Sequence, residues 1–524
     1  MTNKASAAVP MFEQQVWHGQ NAEALSTLLR ILGSLSSSGG QLPPADNPEA
    51  GASFPGKGTE EVATRLSAAV SELLSRPDCR VDARTFQRFV IWHRWLHVIF
   101  NASSFGNGDF VLKRLGSVPT RDFIGTATID DLYKMCLLYG AESSMPIDFT
   151  ALFRRSPALA CSLAVAILSN RLLATPKAHE KREILLRWIV EALEKLESPA
   201  GLPIEILVDL WMHCSYGLER DKHELKRPLN RLLRRQMNAA GISDPVLVKS
   251  RASRPTVFVM LEWFHQRHSI MRTHSISMRS LREHYRLVGF GPKGMVDKAG
   301  KAVFDEFHEY EQYSSDLRFM KPILALAAEQ RPTATYFPSV GMALHSLYLV
   351  NVRMAPTQII ALGHPATTHS DKIDYVLVEE DYIGDTSLFS EKVVPVPKNA
   401  LPYFRPSVQL PEVARKRGEP VKIAVPAAIM KLNPRFLETC RSIQAAALHD
   451  VEFHFMLGGA PDLLHVHATK AICSQVPGAV VHKTAEYQSY MANIAACDMF
   501  ANPFPFGNTN GSWTPSIVGC RGSA

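Results

Sequence analysis

From about residue 254 onward, short apolar runs alternate with segments of helical periodicity. The apolar runs before residue 400 lie at 256–261, 285–290, 333–337, 358–362 and 373–378. A second series follows, with runs at 421–425, 451–457, 479–482 and 499–501. Strands that alternate with helices are typical of β-α-β units, which build parallel sheets covered by helices. The pattern therefore predicts two sheet domains, and such sheets bind ligands at the carboxyl ends of their strands.

The chain before residue 245 shows helical spacing without such runs. In residues 59–74, apolar positions recur at intervals of three and four: Val62, Leu66, Val70, Leu73 and Leu74. This spacing places them on one face of a helix. Further helices are predicted at 86–100, 159–173, 184–196, 204–212 and 225–237. We therefore expect an all-α domain over residues 1–245.

Two segments of biased composition mark the connections. Residues 33–58 are rich in Ser, Gly and Pro, which predicts a mobile loop. The Pro-rich stretch over 394–420 predicts an interdomain linker, which we assign to residues 401–420. The first sheet domain is then expected over 246–400 and the second over 421–524.

Charge and cysteine usage exclude several classes of protein. The 57 Lys and Arg against 50 Asp and Glu give a net charge of +7 over 524 residues, too mild an excess to indicate a nucleic-acid-binding protein. The basic run over 220–235 lacks interleaved aromatic residues for base stacking, so it predicts a solvated face or a face packed on the adjacent domain.

The eight cysteines lack C-x-x-C spacing, which is typical of reduced thiols in the cytoplasm. The first residues contain no continuous apolar region of the kind found in secretory signals. The longest apolar stretch, over 158–168, is shorter than the roughly 18 apolar residues that cross a bilayer. We expect a cytoplasmic protein without membrane insertion.

A glycine pattern offers a competing function. Gly289, Gly291 and Gly294 spell the G-x-G-x-x-G of dinucleotide-binding turns. However, Pro292 lacks an amide hydrogen that a phosphate would use, and no acidic residue closes a strand about 20 residues later. A plain strand-to-helix turn explains the glycines as well, and a nicotinamide oxidoreductase remains an alternative hypothesis.

Histidines form two clusters in the sequence. His265, His268 and His274 lie close together, and His364 and His369 precede Asp371. A metal site needs three or four convergent ligands, and His265 and His268 lack a partner at the right spacing. His364, His369 and Asp371 are conceivable ligands, but they lie in a loop without fixed geometry. We expect no metal, and we interpret the histidines as hydrogen-bonded or acid/base groups that face the ligand.

A phosphate site is predicted from two loops. The segment over 501–511 follows a strand, and Asn508, Thr509 and Asn510 are good residues to begin a helix, whose amides bind phosphate. Lys431 follows the first strand of the same domain and supplies a positive charge. Together the two loops predict a diphosphate site.

Several long motifs resemble one family. The strings HSIMRTHSISM, RMAPTQIIALGHPATTHSDKIDYVLVEEDY, MKLNP and NPFPFGNTNG are similar to those of the bacterial cytoplasmic N-glycosyltransferases that modify high-molecular-weight adhesins. These enzymes belong to glycosyltransferase family 41, together with the protein O-GlcNAc transferases. The resemblance implies an α + α/β chain in which a helical domain precedes a GT-B pair of Rossmann-like domains, the first on the acceptor side and the second on the UDP-sugar side.

The resemblance also implies an activity. Such enzymes transfer a hexose, usually glucose, from a UDP-sugar to Asn in N-x-Ser/Thr sequons of adhesin precursors, with inversion and without a metal or other cofactor. It assigns donor binding to Lys431, Asn508, Thr509, Asn510 and Gln358. It implies a catalytic role for His274, and it places His364, His369 and His213 along the cleft.

The chain departs from the family pattern at three positions. Ala428 replaces a common hydroxyl residue, Thr484 replaces a histidine, and Thr514 occupies the place of an Asp that holds the ribose of UDP. Nothing after Gly511 resembles the family, so residues 512–524 are expected to be an aberrant tail of an incomplete second Rossmann-like domain. A truncated and catalytically impaired chain that binds a peptide or a partner is the alternative hypothesis.

Overall fold

The computed structural model describes residues 8–42, 57–248, 252–311, 316–398, 400, 420–507 and 521–522. The chain forms two compact units. The first comprises residues 1–185, 201–203 and 408–524, and the second comprises residues 186–200 and 204–407. The division into three domains at 245, 400 and 420 stays a prediction, because this grouping follows contacts rather than sequence order.

Helices make up the amino-terminal part of the chain, as predicted. They are α1 (Ala8–Trp17), α2 (Asn21–Ser37), α3 (Lys57–Ser75), α4 (Ala83–Val90), α5 (His93–Ala102), α6 (Asp109–Arg114), α7 (Arg121–Thr126), α8 (Ile129–Leu138), α9 (Phe149–Arg155), α10 (Pro157–Leu168), α11 (Pro176–Glu194), α12 (Leu207–His213) and α13 (Lys226–Ala239). Side-chain oxygens of Asp82, Thr128 and Asp148 accept hydrogen bonds from backbone amides in the first turns of α4, α8 and α9.

Three helix predictions need correction. The helix expected over 159–173 already ends at Leu168. The single helix expected over 86–100 is divided at Ile91 and Trp92, because α4 packs against α8 while α5 packs against α3. The loop expected from residue 33 begins later, since α2 continues to Ser37. Its buried face, which includes Ile31 and Leu35, outweighs the low helix propensity of Gly33 and the serines. Residues 43–56 of that loop lie outside the described part of the chain.

The first sheet belongs to the second unit and has seven parallel strands. In chain order they are β1 (Thr256–Met260), β2 (Arg286–Pro292), β3 (Glu306–Tyr310), β4 (Ala334–Phe337), β5 (Thr357–Ala361), β6 (Tyr375–Glu379) and β7 (Lys392–Val396), arranged β3-β2-β1-β4-β5-β6-β7. The helices between them are α14 (Ser269–Leu281), α15 (Lys298–Lys301), α16 (Met320–Gln330) and α17 (Leu344–Leu349). All five residues of β1 are buried, as expected for a central parallel strand.

The sequence patterns missed both edge strands of this sheet. Strand β3 reads Glu-Phe-His-Glu-Tyr and lacks a continuous apolar run. Strand β7 falls in the stretch taken as the start of the linker, and it contains Pro395. A proline is tolerated there because an edge strand leaves one row of backbone groups unpaired. Residues 401–419 of the linker lie outside the described residues.

The second sheet belongs to the first unit and has five parallel strands among the described residues. They are β8 (Val421–Ala428), β9 (Val451–Gly458), β10 (Val480–His482), β11 (Met499–Phe500) and β12 (Arg521–Gly522), arranged β10-β9-β8-β11-β12. Helices α18 (Pro434–Ala446), α19 (Asp462–Cys473) and α20 (Tyr487–Ala495) connect the first four. Arg521 and Gly522 pair in parallel with β11, so this part of the expected aberrant tail extends the sheet.

The glycine pattern is not a phosphate-binding turn. Gly289 and Gly291 lie inside β2 rather than after it. A Cβ atom on Gly289 would lie 2.7 Å from the ring of Phe304, and one on Gly291 would lie 2.7 Å from a methyl group of Val296. Glycine is therefore required at these positions for close packing, and the oxidoreductase hypothesis loses its motif.

A helical region followed by two parallel sheets confirms the predicted fold class. Both strand orders start near the middle of the sheet and continue to either side, which is the doubly wound, Rossmann-like arrangement. Within the part of the chain that the structure describes, no helix combines the length and the apolar character needed to cross a bilayer.

Candidate functional site

Lys431 lies at the carboxyl edge of the second sheet, in the turn between β8 and α18. Its Nζ donates a hydrogen bond of 2.9 Å to the carbonyl oxygen of Gly507 and lies 5.3 Å from the centre of the Phe506 ring. Because β8 and β11 are neighbours in the sheet, the loops that follow them meet at this edge. The two loops that the sequence predicts to act together are thus brought together.

Asn433 joins the same two loops a second time. Its Oδ1 accepts a hydrogen bond from the amide of Phe436 and so caps α18, while Pro434 occupies the first turn. Its Nδ2 donates to the carbonyl oxygen of Phe504 at 2.6 Å. The helix start and the loop over 504–507 therefore form one structure. Asn508, Thr509 and Asn510 lie outside the described residues.

Burial changes the electrostatics of this edge. Removal of Lys431 from water lowers the pKa of its ammonium group from 10.5 to about 8. A cation with reduced hydration interacts more strongly with an approaching anion than a solvated one does. An anion bound here would in turn favour the charged form of the lysine.

A cavity of about 450 Å³ opens at the same edge of the first unit, beside the loops that follow β9 and β10. This volume falls within the usual range of small-molecule sites, roughly 300–1,000 Å³. Its lining includes Ser38, Gln41, Thr59, Arg171, Gly459, Asp462, His465, Lys483 and Thr484. Its lining therefore combines charged and polar side chains with apolar ones such as Pro461 and Val466, and it contains Thr484, one of the positions that depart from the family pattern.

His274 and His369 are buried in the second unit, and each has one ring nitrogen without a hydrogen-bond partner among the described residues. These nitrogens are Nε2 of His274 and Nδ1 of His369. The Nδ1 of His274 lies 2.6 Å from the hydroxyl of Thr273, and the Nε2 of His369 lies 3.5 Å from a carboxylate oxygen of Glu224. Burial lowers the pKa of both imidazoles to about 4, so both are neutral at pH 7.

His364 and His213 are also buried in this unit. The Nε2 of His364 lies 2.9 Å from the hydroxyl oxygen of Ser215. The Nε2 of His213, at the end of α12, lies 4.0 Å from a carboxylate oxygen of Asp209. His364 thus contacts the segment that directly follows His213. The functional roles of all four histidines stay predictions.

The side chain of Gln358, which is predicted to bind the donor, makes its hydrogen bonds inside the second unit. Its side chain is fully buried in β5. Its Nε2 donates to the carbonyl oxygens of Val352 and Lys372 at 2.9 and 2.8 Å, and its Oε1 accepts from the amide of Met354 at 3.0 Å. Because both amide hydrogens are used within the chain, the geometry favours a structural role.

The loop that carries His369 is held by buried charged groups that the sequence patterns did not single out. The Nζ of Lys226 donates to the carbonyl oxygen of Thr367 at 2.8 Å and lies 4.9 Å from the ring centre of Trp211. The carboxylate of Glu391 accepts from the hydroxyl of Thr367 and the amide of Thr368 at 2.7 and 2.8 Å. His369 itself has a positive φ of 50°, a strained backbone conformation that functional sites often contain.

Glu262, two residues after the end of β1, is a second buried group that the sequence patterns did not single out. Its carboxylate accepts hydrogen bonds from the hydroxyls of Ser339 and Ser346 and from the amides of Gly341, Met342 and Ala343. Burial raises the pKa of this carboxyl, and the hydrogen bonds oppose that shift. A carboxylate at the end of an apolar strand was the signal available in the sequence.

Residues of the basic run over 220–235 form ion pairs and hydrogen bonds with other residues of the second unit. Arg220 and Arg234 form ion pairs with Asp385 and Asp371. Arg231 and Arg235 donate to backbone carbonyl oxygens at the end of α11 and just after it. Four arginines of the run thus contact other residues of the same unit, and the absence of a nucleic-acid partner stays a prediction.

Among the described residues, no group of three or more His, Cys, Asp or Glu side chains is arranged to hold a metal ion. His268, one of the histidines considered as a ligand, instead caps a helix: its Nδ1 accepts a hydrogen bond from the amide of Ile270 at the start of α14. Independence from metals stays a prediction.

Comparison with known proteins identifies the family. Two family models match the chain, one described as HMW1C N-terminal over residues 22–145 and one described as HMW1 domain 2 over residues 150–237. Two UDP-glucose:protein N-beta-glucosyltransferases of Actinobacillus pleuropneumoniae, from serotypes 5b and 7, are each 38% identical over 529 residues, which covers 98% of this chain and 84% of each relative. The chain belongs to this glucosyltransferase family.

This membership confirms the family predicted from the motifs and assigns the chain to an enzyme family. Among solved structures, the chain is similar to a mutant O-GlcNAc transferase from Thermobaculum terrenum, with a TM-score of 0.48 and 13% identity over 100% of this chain and 83% of that one. The GT-B pair of Rossmann-like sheets is the fold expected for the family.

Proposed function

We propose that this chain transfers glucose from UDP-glucose to the side-chain nitrogen of asparagine in N-x-Ser/Thr sequons of acceptor proteins. The donor name and the protein acceptor are those printed for its relatives. The observation that carries the proposal is the desolvated ammonium of Lys431, held between two loops at the carboxyl edge of the second sheet. Nucleotide ligands of doubly wound sheets bind at this edge.

The two sheets differ in their capacity to bind a diphosphate. In the first sheet, the amides of Gly341, Met342 and Ala343 point at one anion, but that anion is the carboxylate of Glu262. A phosphate group at those amides would have to displace the Glu262 carboxyl group that already accepts their hydrogen bonds. The second sheet presents the positive charge of Lys431 at the corresponding edge. We therefore assign UDP to the second sheet, and the acceptor to the histidine-containing first sheet.

The proposed reaction is a single displacement without a metal or other cofactor. The bond between the anomeric carbon and the diphosphate oxygen breaks, a bond from that carbon to the asparagine nitrogen forms, and the nitrogen releases one proton to water. Direct displacement inverts the anomeric carbon. Lys431 stabilises the negative charge that develops on the departing UDP.

His274 is the proposed catalytic residue on the acceptor side. An asparagine amide is a weak nucleophile, so its position matters more than its activation. Because the imidazole is neutral at pH 7, its open Nε2 can accept a hydrogen bond from the amide nitrogen. His213, His364 and His369 are proposed to line the same side.

The acceptor class and the cellular location belong to the same proposal. The HMW1 descriptions of the matching family models favour adhesin-type acceptors. The seven cysteines within the described part of the chain form no disulfide bonds with one another, as expected for a chain in the reducing cytoplasm.

A transfer assay tests the function. The purified chain is incubated with UDP-glucose and a peptide containing one N-x-Thr sequon, and site-resolved mass spectrometry locates any added hexose. We expect one hexose on the sequon asparagine and none on a matched peptide with glutamine in its place. Peptide binding without hexose transfer would instead favour the impaired-chain alternative. Parallel reactions with UDP-galactose test the preference for glucose.

A further inference from the structure

The carboxylate of Glu262 organises a loop of the first sheet that is distant in sequence. Its Oε1 accepts from the amides of Gly341, Met342 and Ala343 at 2.8–2.9 Å and from the hydroxyl of Ser346 at 2.6 Å. Its Oε2 accepts from the hydroxyl of Ser339 at 2.8 Å. The side chain is only 2% exposed. Removal of this acceptor would leave several buried donors without a partner, which is costly.

The loop that Glu262 holds, residues 338–343, touches the segment that leads to His213. Gly341 has a φ of +106°, and a Cβ atom at this position would lie 2.5 Å from Cδ1 of Trp211, two residues before His213. Any displacement of Gly341 toward α12 is therefore transmitted to the helix that ends in His213.

The same loop touches the segments that lead to His274 and His364. The amide of Gly363 donates to the carbonyl oxygen of Pro338 at 3.0 Å. A Cβ atom on Gly363 would lie 2.5 Å from that oxygen and 2.6 Å from Cδ1 of Ile270, one turn before His274 in α14. Three segments, each leading to one predicted site histidine, thus pack against the loop or against each other.

We propose that Glu262 is a positioning residue for the acceptor side of the site, acting through residues 338–343 on the segments that carry His213, His274 and His364. The expected effect on acceptor kinetics rests on the proposed function. The expected effect on the local structure rests on the contacts alone. Glu262 does not contact the reacting groups in this account. Its charge matters because a carboxylate can accept all five hydrogen bonds, whereas a neutral amide can accept only part of them.

Three variants remove different numbers of the hydrogen bonds that Glu262 accepts. Glu262→Ala removes every contact, Glu262→Gln keeps the shape and one oxygen acceptor, and Ser339→Ala removes a single donor. Asp109→Asn is the matched control, since Asp109 is a buried carboxylate that accepts hydrogen bonds from Ser144 in the helical part of the first unit.

The kinetic test measures the effect of each variant on the acceptor peptide and on UDP separately. We expect Glu262→Ala to lower kcat/KM for the acceptor peptide by about 10²-fold, the order of effect that misplacement by about 1 Å produces. We expect Glu262→Gln and Ser339→Ala to recover much of that loss. The Kd for UDP should stay within about twofold of wild type in all three, because UDP is assigned to the second sheet. An acceptor kcat/KM unchanged in Glu262→Ala, or lost equally in Asp109→Asn, would overturn the proposal.

Hydrogen exchange tests the structural part independently of activity. We expect Glu262→Ala to speed amide exchange at residues 341–343, in 363–370 and in the first turns of α14, with no such change in Asp109→Asn. Unchanged exchange at 363–370 would overturn the coupling even in an active enzyme. A wild-type chain that transfers no glucose would contradict the proposed function, whereas the exchange result would still decide the role of Glu262.

Discussion

The ammonium nitrogen of Lys431 and the carbonyl oxygen of Gly507 are joined by a hydrogen bond of 2.9 Å, which connects the loops after two adjacent strands. The lysine is largely removed from water there, and the pKa of its side chain falls to about 8. Its charge is thus available near neutral pH, and its position is set before any ligand arrives. Preorganised charge of this kind stabilises developing negative charge without a cost of rearrangement.

The pH dependence of donor use follows from this pKa. Since a neutral amine binds diphosphate poorly, we expect kcat/KM for UDP-glucose to fall as the pH rises through about 8. In Lys431→Arg the guanidinium stays charged, so the decline near pH 8 should disappear, although the altered geometry lowers the maximum. Profiles of kcat/KM against pH for both proteins check this. The same decline in both proteins would show that another group is responsible.

The effect on stability has the opposite sign. The folded-state pKa of Lys431 lies below the ordinary value of 10.5, so the folded state binds this proton less tightly than the unfolded state does. The contribution of Lys431 to stability is therefore lowest below pH 8 and rises between pH 8 and 10.5. Loss of activity above pH 8 is consequently not expected to reflect unfolding through this group.

Asn433 provides a second test of the donor edge. Asn433→Ala removes the cap of α18 and the hydrogen bond to Phe504. We expect a stability loss of about 1 kcal/mol from the cap and weaker UDP binding from the loosened loop. Urea unfolding and calorimetry measure the two effects. Glu438→Ala, on the exposed side of the same helix, is the matched control and should change neither quantity.

Gly341 and Gly294 form a matched pair for the first sheet. Both have positive φ, +106° and +80°, but only Gly341 faces a neighbour, the Trp211 ring. Gly294→Ala should cost about 1–3 kcal/mol from backbone strain alone. Gly341→Ala should lower the Tm further, because a Cβ atom would overlap with that ring. Equal Tm values for the two variants would contradict the close packing of Gly341 on α12.

Gln358 tests the distinction between structural and donor-binding residues. Gln358→Leu leaves the carbonyl oxygens of Val352 and Lys372 and the amide of Met354 without their partner. We expect a loss of about 1–3 kcal/mol for each buried group left unsatisfied, and an unchanged Kd for UDP in protein that remains folded. A weakened Kd at full folding would restore the predicted donor contact.

The sequence predicted the parts of this molecule that depend on local pattern. The central strands, most helices and the meeting of the Lys431 loop with the loop over 504–507 follow from hydrophobic periodicity and from the rule that adjacent parallel strands end at one edge. Strands β3 and β7 were missed because edge strands need no continuous apolar run.

Contacts between distant segments were beyond such patterns. Glu262 meets its partners about 80 residues later in the chain, as the separations of 77 to 84 residues show. Lys226 and Glu391 both form hydrogen bonds with Thr367, although Lys226 precedes it by 141 residues and Glu391 follows it by 24. The resemblance to the family assigns Gln358 to donor binding, and only the structure shows that its side-chain amide is hydrogen-bonded to Val352, Met354 and Lys372; its role in donor binding stays a prediction. Only the tertiary structure reveals which polar groups are already hydrogen-bonded within the protein.

Binding of UDP to the wild-type chain and to Lys431→Ala, measured by calorimetry, tests whether the second sheet binds the nucleotide sugar through Lys431. We expect one site per chain in the wild type and a Kd raised by about 10²-fold or more in the variant, comparable to the loss of one preorganised charge-stabilising donor. Hydrogen exchange should show that the variant remains folded. Equal affinity of the two proteins for UDP, or no binding by the wild type, would contradict the assignment of the second sheet to the nucleotide sugar.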